Sequence, residues 1–371
     1  MSSVVSATAS TGQAPGALRK LATPFVDPAV FDFWAQKLNP TWSWSRPLAR
    51  VVERREEAQD TVTLVLRPNA HCGPVQPGQH INVSAEIDGR RTTRSYSVTN
   101  LPEADGLVAI TVKRVEGGAL STRLCRHTQV GDVLETGAAF GDMTWPARPA
   151  QYIRRWAFLA AGSGITPLIS LTRQWAAQRL PVELTLIYWV KTRAEACFVQ
   201  ELRELAAHNE HFRFHLVLTH ETKRQGRELD GLISAEQIEH LLPQLPDTQI
   251  YACGPGGFVD TARQLTGPRA AGFKAEGFTP VPLADGEAEA TTVQVQLKRS
   301  GRALFVSTGQ SLLEALEAQG LNPPSGCRMG ICHTCTCTRL SGSTANTQAG
   351  TTESEPDGQV RLCISRACTD L

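Results

Sequence analysis

Six of the chain's ten cysteines fall in its last 45 residues. Cys327, Cys332 and Cys335 form a C-x4-C-x2-C run, and Cys363 follows after 27 intervening residues. Thiolates are soft ligands that suit iron, and four of them can surround two tetrahedral irons. Three close cysteines with a distant fourth is the spacing that holds a [2Fe–2S] cluster. Zinc is the chemical rival, because four cysteines also make a structural zinc site. Zinc pairs, however, usually stand as near couples at both ends, whereas Cys363 stands alone. The expected metal ligands are therefore Cys327, Cys332, Cys335 and Cys363. Ser325, Gly326 and Gly330 supply small side chains and free dihedrals for a loop that wraps the cluster. Backbone N–H groups there can point at sulfur. Cys337 competes for the third position, but only Cys335 keeps the spacing. Cys337 is expected as a packed thiol and Cys368 as a free one.

The rest of the composition limits the company this site can keep. The chain has 371 residues, 41% hydrophobic and 20% charged, with a formal net charge of +1. That length suits about two to four domains. The charge balance gives no reason to expect nucleic acid as a partner. No apolar run reaches membrane-spanning length. The best candidate, residues 156–171, is broken by Gly162, Ser163, Gly164 and Pro167. The N-terminus lacks a basic stretch followed by an apolar one, so no secretory signal is expected. The expected location is cytoplasmic, where cysteines serve as thiols or metal ligands rather than as a disulfide scaffold.

Periodicity places the elements around the cysteine loop. Residues 1–46 read as an N-terminal extension, loose at first. Asp27-Pro28 then offers an N-cap and first-turn proline to a short amphipathic helix bearing Phe31, Trp34 and Leu38. The expected role of that helix is to dock on the next domain; a lid or a membrane-surface contact is the alternative, with Trp42 and Trp44 adding aromatic surface. Residues 47–150 carry short strands and Gly/Pro turns, the pattern of a small antiparallel barrel. From 151 to 280, strands at 156–161, 182–189, 212–219 and 249–253 alternate with helices, which implies a mostly parallel sheet covered on both faces. Residues 281–290 (VPLADGEAEA) read as a linker. Residues 291–371 form a compact α+β unit, with strands at 292–297 and 303–306, a Ser311/Glu314 capping box and a closing strand at 360–364.

Sequence motifs extend this reading. SGCRMGICHTC (325–335) closely resembles the cluster loop of plant-type ferredoxins, most of all the ferredoxin domain fused to bacterial oxygenase and desaturase reductases. Arg94-Ser95-Tyr96-Ser97 resembles the R-x-Y-S flavin signature of the ferredoxin–NADP reductase superfamily. That resemblance implies Arg94 on a flavin pyrophosphate oxygen, Tyr96 against the isoalloxazine or ribityl chain, and Ser97 toward the ring N5. Gly117-Gly118-Ala119-Leu120-Ser121-Thr122 resembles the second flavin motif, which favours FAD over FMN. Gly162-Ser163-Gly164-Ile165-Thr166-Pro167 resembles the superfamily's G-x-G-I/V-x-P nucleotide motif, and lacks the third glycine of the dinucleotide fingerprint. Thr166 would contact the nicotinamide or the flavin edge. Tyr251-Ala252-Cys253-Gly254-Pro255 matches the late C-G-P turn, where Cys253 would border and polarise the hydride-transfer site. Glu276-Gly277-Phe278 resembles an E-x-F stretch that would bring Phe278 near the flavin. Arg193 and Arg224, with Lys191, Lys223 and Arg227, are placed to meet a 2′-phosphate, which favours NADPH while leaving NADH open.

The resemblance spans residues 47–371. It implies a multidomain chain: an antiparallel β-barrel flavin domain, a Rossmann-like α/β nucleotide domain and an α+β β-grasp ferredoxin domain. It further implies hydride transfer from NAD(P)H to FAD, then single electrons through [2Fe–2S] to a partner. That partner is expected among iron-dependent oxygenases, hydroxylases or fatty-acid desaturases, with indirect membrane association through it. Two other readings are weighed: a reductase for an aromatic-ring or phenylacetyl-CoA-type oxygenase, and a non-catalytic iron–sulfur redox sensor or scaffold.

Overall fold

The computed structural model describes residues 27–278 and 291–371, apart from residues 103, 104, 150, 152, 222 and 349. The expected linker at 281–290 lies outside the described residues. The described residues open on helix α1 (Pro28–Leu38), whose N-cap Asp27 accepts from the Ala29 N–H at 2.8 Å. Only Ala35 of this helix is buried. The expected docking stripe is corrected here: Phe31, Trp34 and Leu38 are 38%, 65% and 80% exposed. The segment is held instead by polar contacts, with Asp32 accepting from the Ser43 hydroxyl and the Trp44 N–H.

The barrel comprises β1 (Leu48–Ala58), β2 (Thr61–Pro68), β3 (His80–Ile87), β4 (Arg90–Ser97), β5 (Val108–Lys113), the short helix α2 (Ala119–Thr122) and β6 (Val133–Thr136). The six strands form one antiparallel sheet in the order β4-β3-β6-β1-β2-β5. Its inward positions, among them Val51, Leu64, Val83, Ile110 and Leu120, make one apolar core. β1 and β4 are strands that periodicity does not reveal, because Arg and Glu or Arg and Thr fill their outward positions.

The second unit comprises β7 (Arg155–Ala161), α3 (Ile165–Gln178), β8 (Glu183–Val190), α4 (Val199–His208), β9 (Phe212–Leu218), β10 (Leu229–Asp230), α5 (Ala235–Leu241), β11 (Thr248–Gly254), α6 (Gly256–Thr266) and β12 (Gly272–Gly277). All pairings are parallel, in the order β10-β9-β8-β7-β11-β12. The chain winds outward from β7 to β10 and then returns to lay β11 on β7's other side. A crevice opens at such a reversal, beyond the carboxyl ends of the two strands.

The last unit holds β13 (Thr292–Leu297), β14 (Arg302–Ser307), α7 (Leu312–Ala318), β15 (Thr336–Arg339), β16 (Thr344–Asn346), β17 (Thr352–Glu353), β18 (Gly358–Arg361) and β19 (Ser365–Ala367). Both bonds of the Ser311/Glu314 capping box are present. The expected strand at 360–364 is corrected: it breaks after Arg361 and resumes at Ser365. The intervening turn, where the Ile364 N–H donates to the Arg361 carbonyl at 3.1 Å, carries Cys363. Among the described residues no helix is long and apolar enough to cross a membrane.

Candidate functional site

The cluster loop is built by conformations that ordinary residues resist. Arg328, Gly330 and His333 all take positive φ, at 58°, 75° and 55°. A side chain on Gly330 would meet the Ile364 side chain at 2.5 Å. The loop brings the Cys335 and Cys363 sulfurs to 3.3 Å from each other. The N–H of Cys327 points at the Cys332 sulfur, and those of Met329 and Cys332 point at the Cys327 sulfur, each at 3.3 Å. Hydrogen bonds from the Cys332 and Cys363 thiols pull Cys327 far below the ordinary thiol range. Cys332 and Cys363, which keep their protons against Cys327, are pushed up. The four sulfurs thus crowd one small volume and share protons, the donor set that a pair of irons satisfies by replacing those protons. N–H groups aimed at sulfur fit the same purpose. Cys337 is corrected: it is exposed on β15, not packed. Cys368 is a free, exposed thiol.

The flavin motif lies on β4, paired residue for residue with β3: His80↔Ser97, Ile81↔Tyr96, Asn82↔Ser95 and Val83↔Arg94. Alternation sends Tyr96 to the barrel core, against which it packs half-buried. Burial raises its phenol pKa. Arg94 donates to the Thr93 carbonyl at 2.7 Å. Burial lowers its pKa, and the Arg328 charge lowers it further, so an anion beside Arg94 would be favourably placed. The second motif forms the turn into α2. Gly117 has φ 70°, and a side chain on Gly118 would strike the Ser121 hydroxyl at 2.5 Å. Ser121 accepts from the Val115 N–H and donates to the Gly118 carbonyl, which closes the turn. Leu120 is buried in the barrel core, and Thr122 is half-buried beside it. These residues fit an anionic flavin tail. Arg94→Ala is expected to weaken FAD retention roughly ten- to a hundred-fold, as loss of a charged hydrogen bond of ~1.5–3 kcal/mol implies. Flavin release on gel filtration measures it, and undiminished retention would remove Arg94 from that role.

The two nucleotide motifs meet at the reversal between β7 and β11. Gly162 has φ 54°. A side chain on Gly164 would lie 2.0 Å from the Cys253 carbonyl oxygen, and one on Gly254 would lie 2.9 Å from the Ala161 Cβ. The glycines therefore let two backbones touch, and Pro255 caps α6 next to them. Thr166 is buried and donates to the Ser163 carbonyl at 2.9 Å. Cys253 is fully buried, with its sulfur 3.2 Å from that of Met143. Burial, then the Glu276 charge, raises its thiol pKa well above normal, so it shapes the crevice as a neutral group. Arg193 is already engaged: it bonds Glu221 at 2.6 Å and Glu228 at 3.0 and 2.6 Å. Arg224 pairs with Asp230 at 3.1 Å.

His80, outside the motif assignments, and Glu276 of the E-x-F stretch join the domains. The His80 ring accepts or donates at 3.1 Å from the Ser97 hydroxyl through Nδ1, and lies 2.7 Å from the Glu276 carboxylate through Nε2. His80 and Glu276 are 2% and 7% exposed. The tautomer that satisfies both contacts donates Nε2–H to Glu276 and accepts the Ser97 proton at Nδ1. Phe278 sits edge-on to this imidazole, centroids 6.3 Å apart. The barrel is locked to the parallel sheet nearby. The Gly78 N–H donates to the Ser170 hydroxyl at 2.9 Å, and the Tyr251 hydroxyl donates to the Thr144 carbonyl at 3.0 Å. Nothing in the local sequence singles out His80, since its partner Glu276 lies 196 residues away.

A flavin cradle, a nucleotide crevice and a thiolate cluster in one chain define a pyridine-nucleotide-dependent flavoprotein reductase with an attached iron–sulfur domain. Family models agree: an oxidoreductase FAD-binding domain matches residues 48–145, an oxidoreductase NAD-binding domain 158–264, and a 2Fe-2S iron–sulfur cluster binding domain 295–368. The NADPH oxidoreductase of Mycobacterium tuberculosis is 32% identical over 360 residues, covering 95% of this chain and 91% of that protein. The glycine betaine monooxygenase reductase subunit of Chromohalobacter salexigens is 28% identical over 363 residues, covering 90% and 96%. The solved structure of phthalate dioxygenase reductase matches with a TM-score of 0.57 at 25% identity, covering 87% of this chain and 96% of that one. The chain belongs to this family of ferredoxin–NADP reductase-like oxidoreductases with a C-terminal 2Fe-2S domain. It carries electrons from NAD(P)H through FAD and a [2Fe–2S] cluster.

Proposed function

We propose that this protein is the cytoplasmic, NADPH-preferring reductase of an iron-dependent oxygenase, hydroxylase or desaturase. The observation that carries this is continuity: the paired strands β3 and β4, the latter bearing the flavin motif, touch the nucleotide sheet through Ser97, His80 and Glu276 and meet the cluster loop at Asn82 of β3 and Gly326. Relatives named as monooxygenase reductase components support the choice of partner class. Any membrane association would come through that partner.

Bound FAD supplies the chemistry of accepting an electron pair as hydride and releasing electrons singly. The chain's own residues handle position and proton. As Ser97 Oγ takes up a proton at the flavin edge, it would pass its own hydroxyl proton to His80 Nδ1, and His80 would pass the Nε2 proton to Glu276 Oε2. Thr166 and Cys253 hold the floor of the crevice in a fixed shape, with no thiol adduct required. For the nucleotide, Lys191, Lys223 and Arg227 are exposed, and Arg193 donates to the Lys223 carbonyl at 3.0 Å. A 2′-phosphate would have to displace Glu221 from that guanidinium, so the exposed Lys and Arg residues alone support NADPH as the preferred donor and NADH as the poorer one.

Anaerobic titration with NADPH and then NADH, followed by visible absorbance and low-temperature EPR, tests the whole reading. NADPH is expected to bleach the flavin and bring up a paramagnetic iron signal at lower concentration than NADH. A protein acting only as a redox sensor or scaffold would fail to reduce cytochrome c or ferricyanide at the expense of NADPH. Glu276→Gln keeps the shape of the proton chain and removes its terminal acceptor. Turnover is expected to fall toward the ~10²-fold that general acid–base groups contribute at the low end, with flavin and cluster content unchanged. Wild-type turnover in that variant would rule the chain out.

A further inference from the structure

The β3–β4 pair presents a polar ladder on one face. Its rungs are His80 with Ser97, Asn82 with Ser95, and Ser84 with Thr93, joined at 3.1, 2.5 and 2.7 Å. Strand alternation puts every second residue on one face, so successive rungs lie about 7 Å apart. The first rung bonds Glu276 of the nucleotide sheet. The second meets the cluster loop: a side chain on Gly326 would lie 3.1 and 3.2 Å from the two amide atoms of Asn82 and 3.0 Å from the Cys332 sulfur. Gly326 directly precedes the ligand Cys327. Asn82 is itself braced, because its carbonyl accepts the Gly137 N–H at 2.8 Å.

We propose that Asn82 is the docking post of the cluster domain, a positioning residue that seats Gly326 against the β3–β4 pair and so sets the distance over which the flavin reduces the cluster. The physical case is geometric. The contact for the electron source and the contact for the electron acceptor are one rung apart on a single rigid strand pair. Ser95 holds the Asn82 amide from the same strand that carries the flavin motif. Gly326 lacks a side chain at the one point where a Cβ would wedge the loop away from both Asn82 and a cluster sulfur. Electron transfer falls steeply with distance, so a small displacement at this seam acts on the flavin-to-cluster step and leaves the hydride step alone.

The proposal rests on the flavin-to-cluster order above, and stopped-flow reduction of the FAD- and cluster-loaded full chain by NADPH separates the two. Flavin bleaching and cluster bleaching are read as distinct phases. In Asn82→Ala the flavin phase is expected at its wild-type rate, while the cluster phase slows severalfold. Amide hydrogen exchange of residues 325–329 should rise in the same variant, with cluster content intact. Asn82→Asp, which retains the acceptor for Ser95, should recover most of the rate. Gly326→Ala approaches the seam from the other side, and the Asn82→Ala/Gly326→Ala pair should be no slower than either single variant, because both break one contact. An unchanged cluster phase and unchanged exchange in Asn82→Ala, or strictly additive losses in the pair, would overturn the docking role. A wild-type chain whose cluster NADPH cannot reduce would instead overturn the electron order itself.

Discussion

Cys332→Ser is expected to abolish the iron–sulfur absorbance and EPR signal while the flavin still bleaches with NADPH. The sulfur of Cys332 receives the Cys327 N–H at 3.3 Å and shares protons with the Cys327 thiol, so it stands inside the cluster's ligand set rather than beside it. Losing an outer-shell partner already costs a metal centre ~10–100-fold in affinity, and losing a ligand should cost more. Transfer to acceptors that draw electrons from the cluster should then collapse, whereas ferricyanide, which can take electrons from the flavin, should be reduced at nearly the wild-type rate. Iron content, EPR and the two acceptor assays together decide it. Cys337→Ser is the internal control: that thiol is exposed on β15, and its removal should leave iron content unchanged. Equal iron in Cys332→Ser and the control would dismiss the assignment.

The second large effect is expected at Gly164. An alanine Cβ there would sit 2.0 Å from the Cys253 carbonyl oxygen and 2.3 Å from its carbon. Both atoms are backbone, held by the β7–β11 register that pairs Ala160 with Cys253. Neither can swing aside, so β7 and β11 must separate at the nucleotide crevice. Overpacking of this kind costs about 1–3 kcal/mol, and here the strain falls on the binding surface. Gly164→Ala should lower Tm by several degrees and weaken NADP+ binding, while FAD content is preserved. Gly257→Ala, where nothing lies within 4 Å of the added Cβ, should leave Tm unchanged. An unshifted Tm in Gly164→Ala would show that the two motifs do not depend on this contact.

The alternation of apolar runs and helices made the parallel sheet legible, since strands buried on both faces read as continuous apolar segments such as Leu184–Val190. The barrel was legible only in part. β1 and β4 each offer one face to solvent or ligand, so their Arg, Glu and Thr residues mask the strand period. Helix α1 was read correctly as a helix from its Asp27-Pro28 start, but the direction of its aromatic face was not: propensity and capping act locally, whereas burial depends on what the rest of the chain brings alongside.

For the site, local spacing determined which cysteines could share a cluster and which glycines and hydroxyls could line flavin and nucleotide, because ligand loops and phosphate-binding turns are encoded within a few consecutive residues. Tertiary structure alone decided the connections between them. The Ser97–His80–Glu276 chain, the Asn82–Gly326 seam and the capture of Arg193 by Glu221 and Glu228 join residues 17 to 244 positions apart. No local pattern records such pairings, since a hydrogen bond depends on where strands and loops converge in space and not on the residues that flank it in sequence.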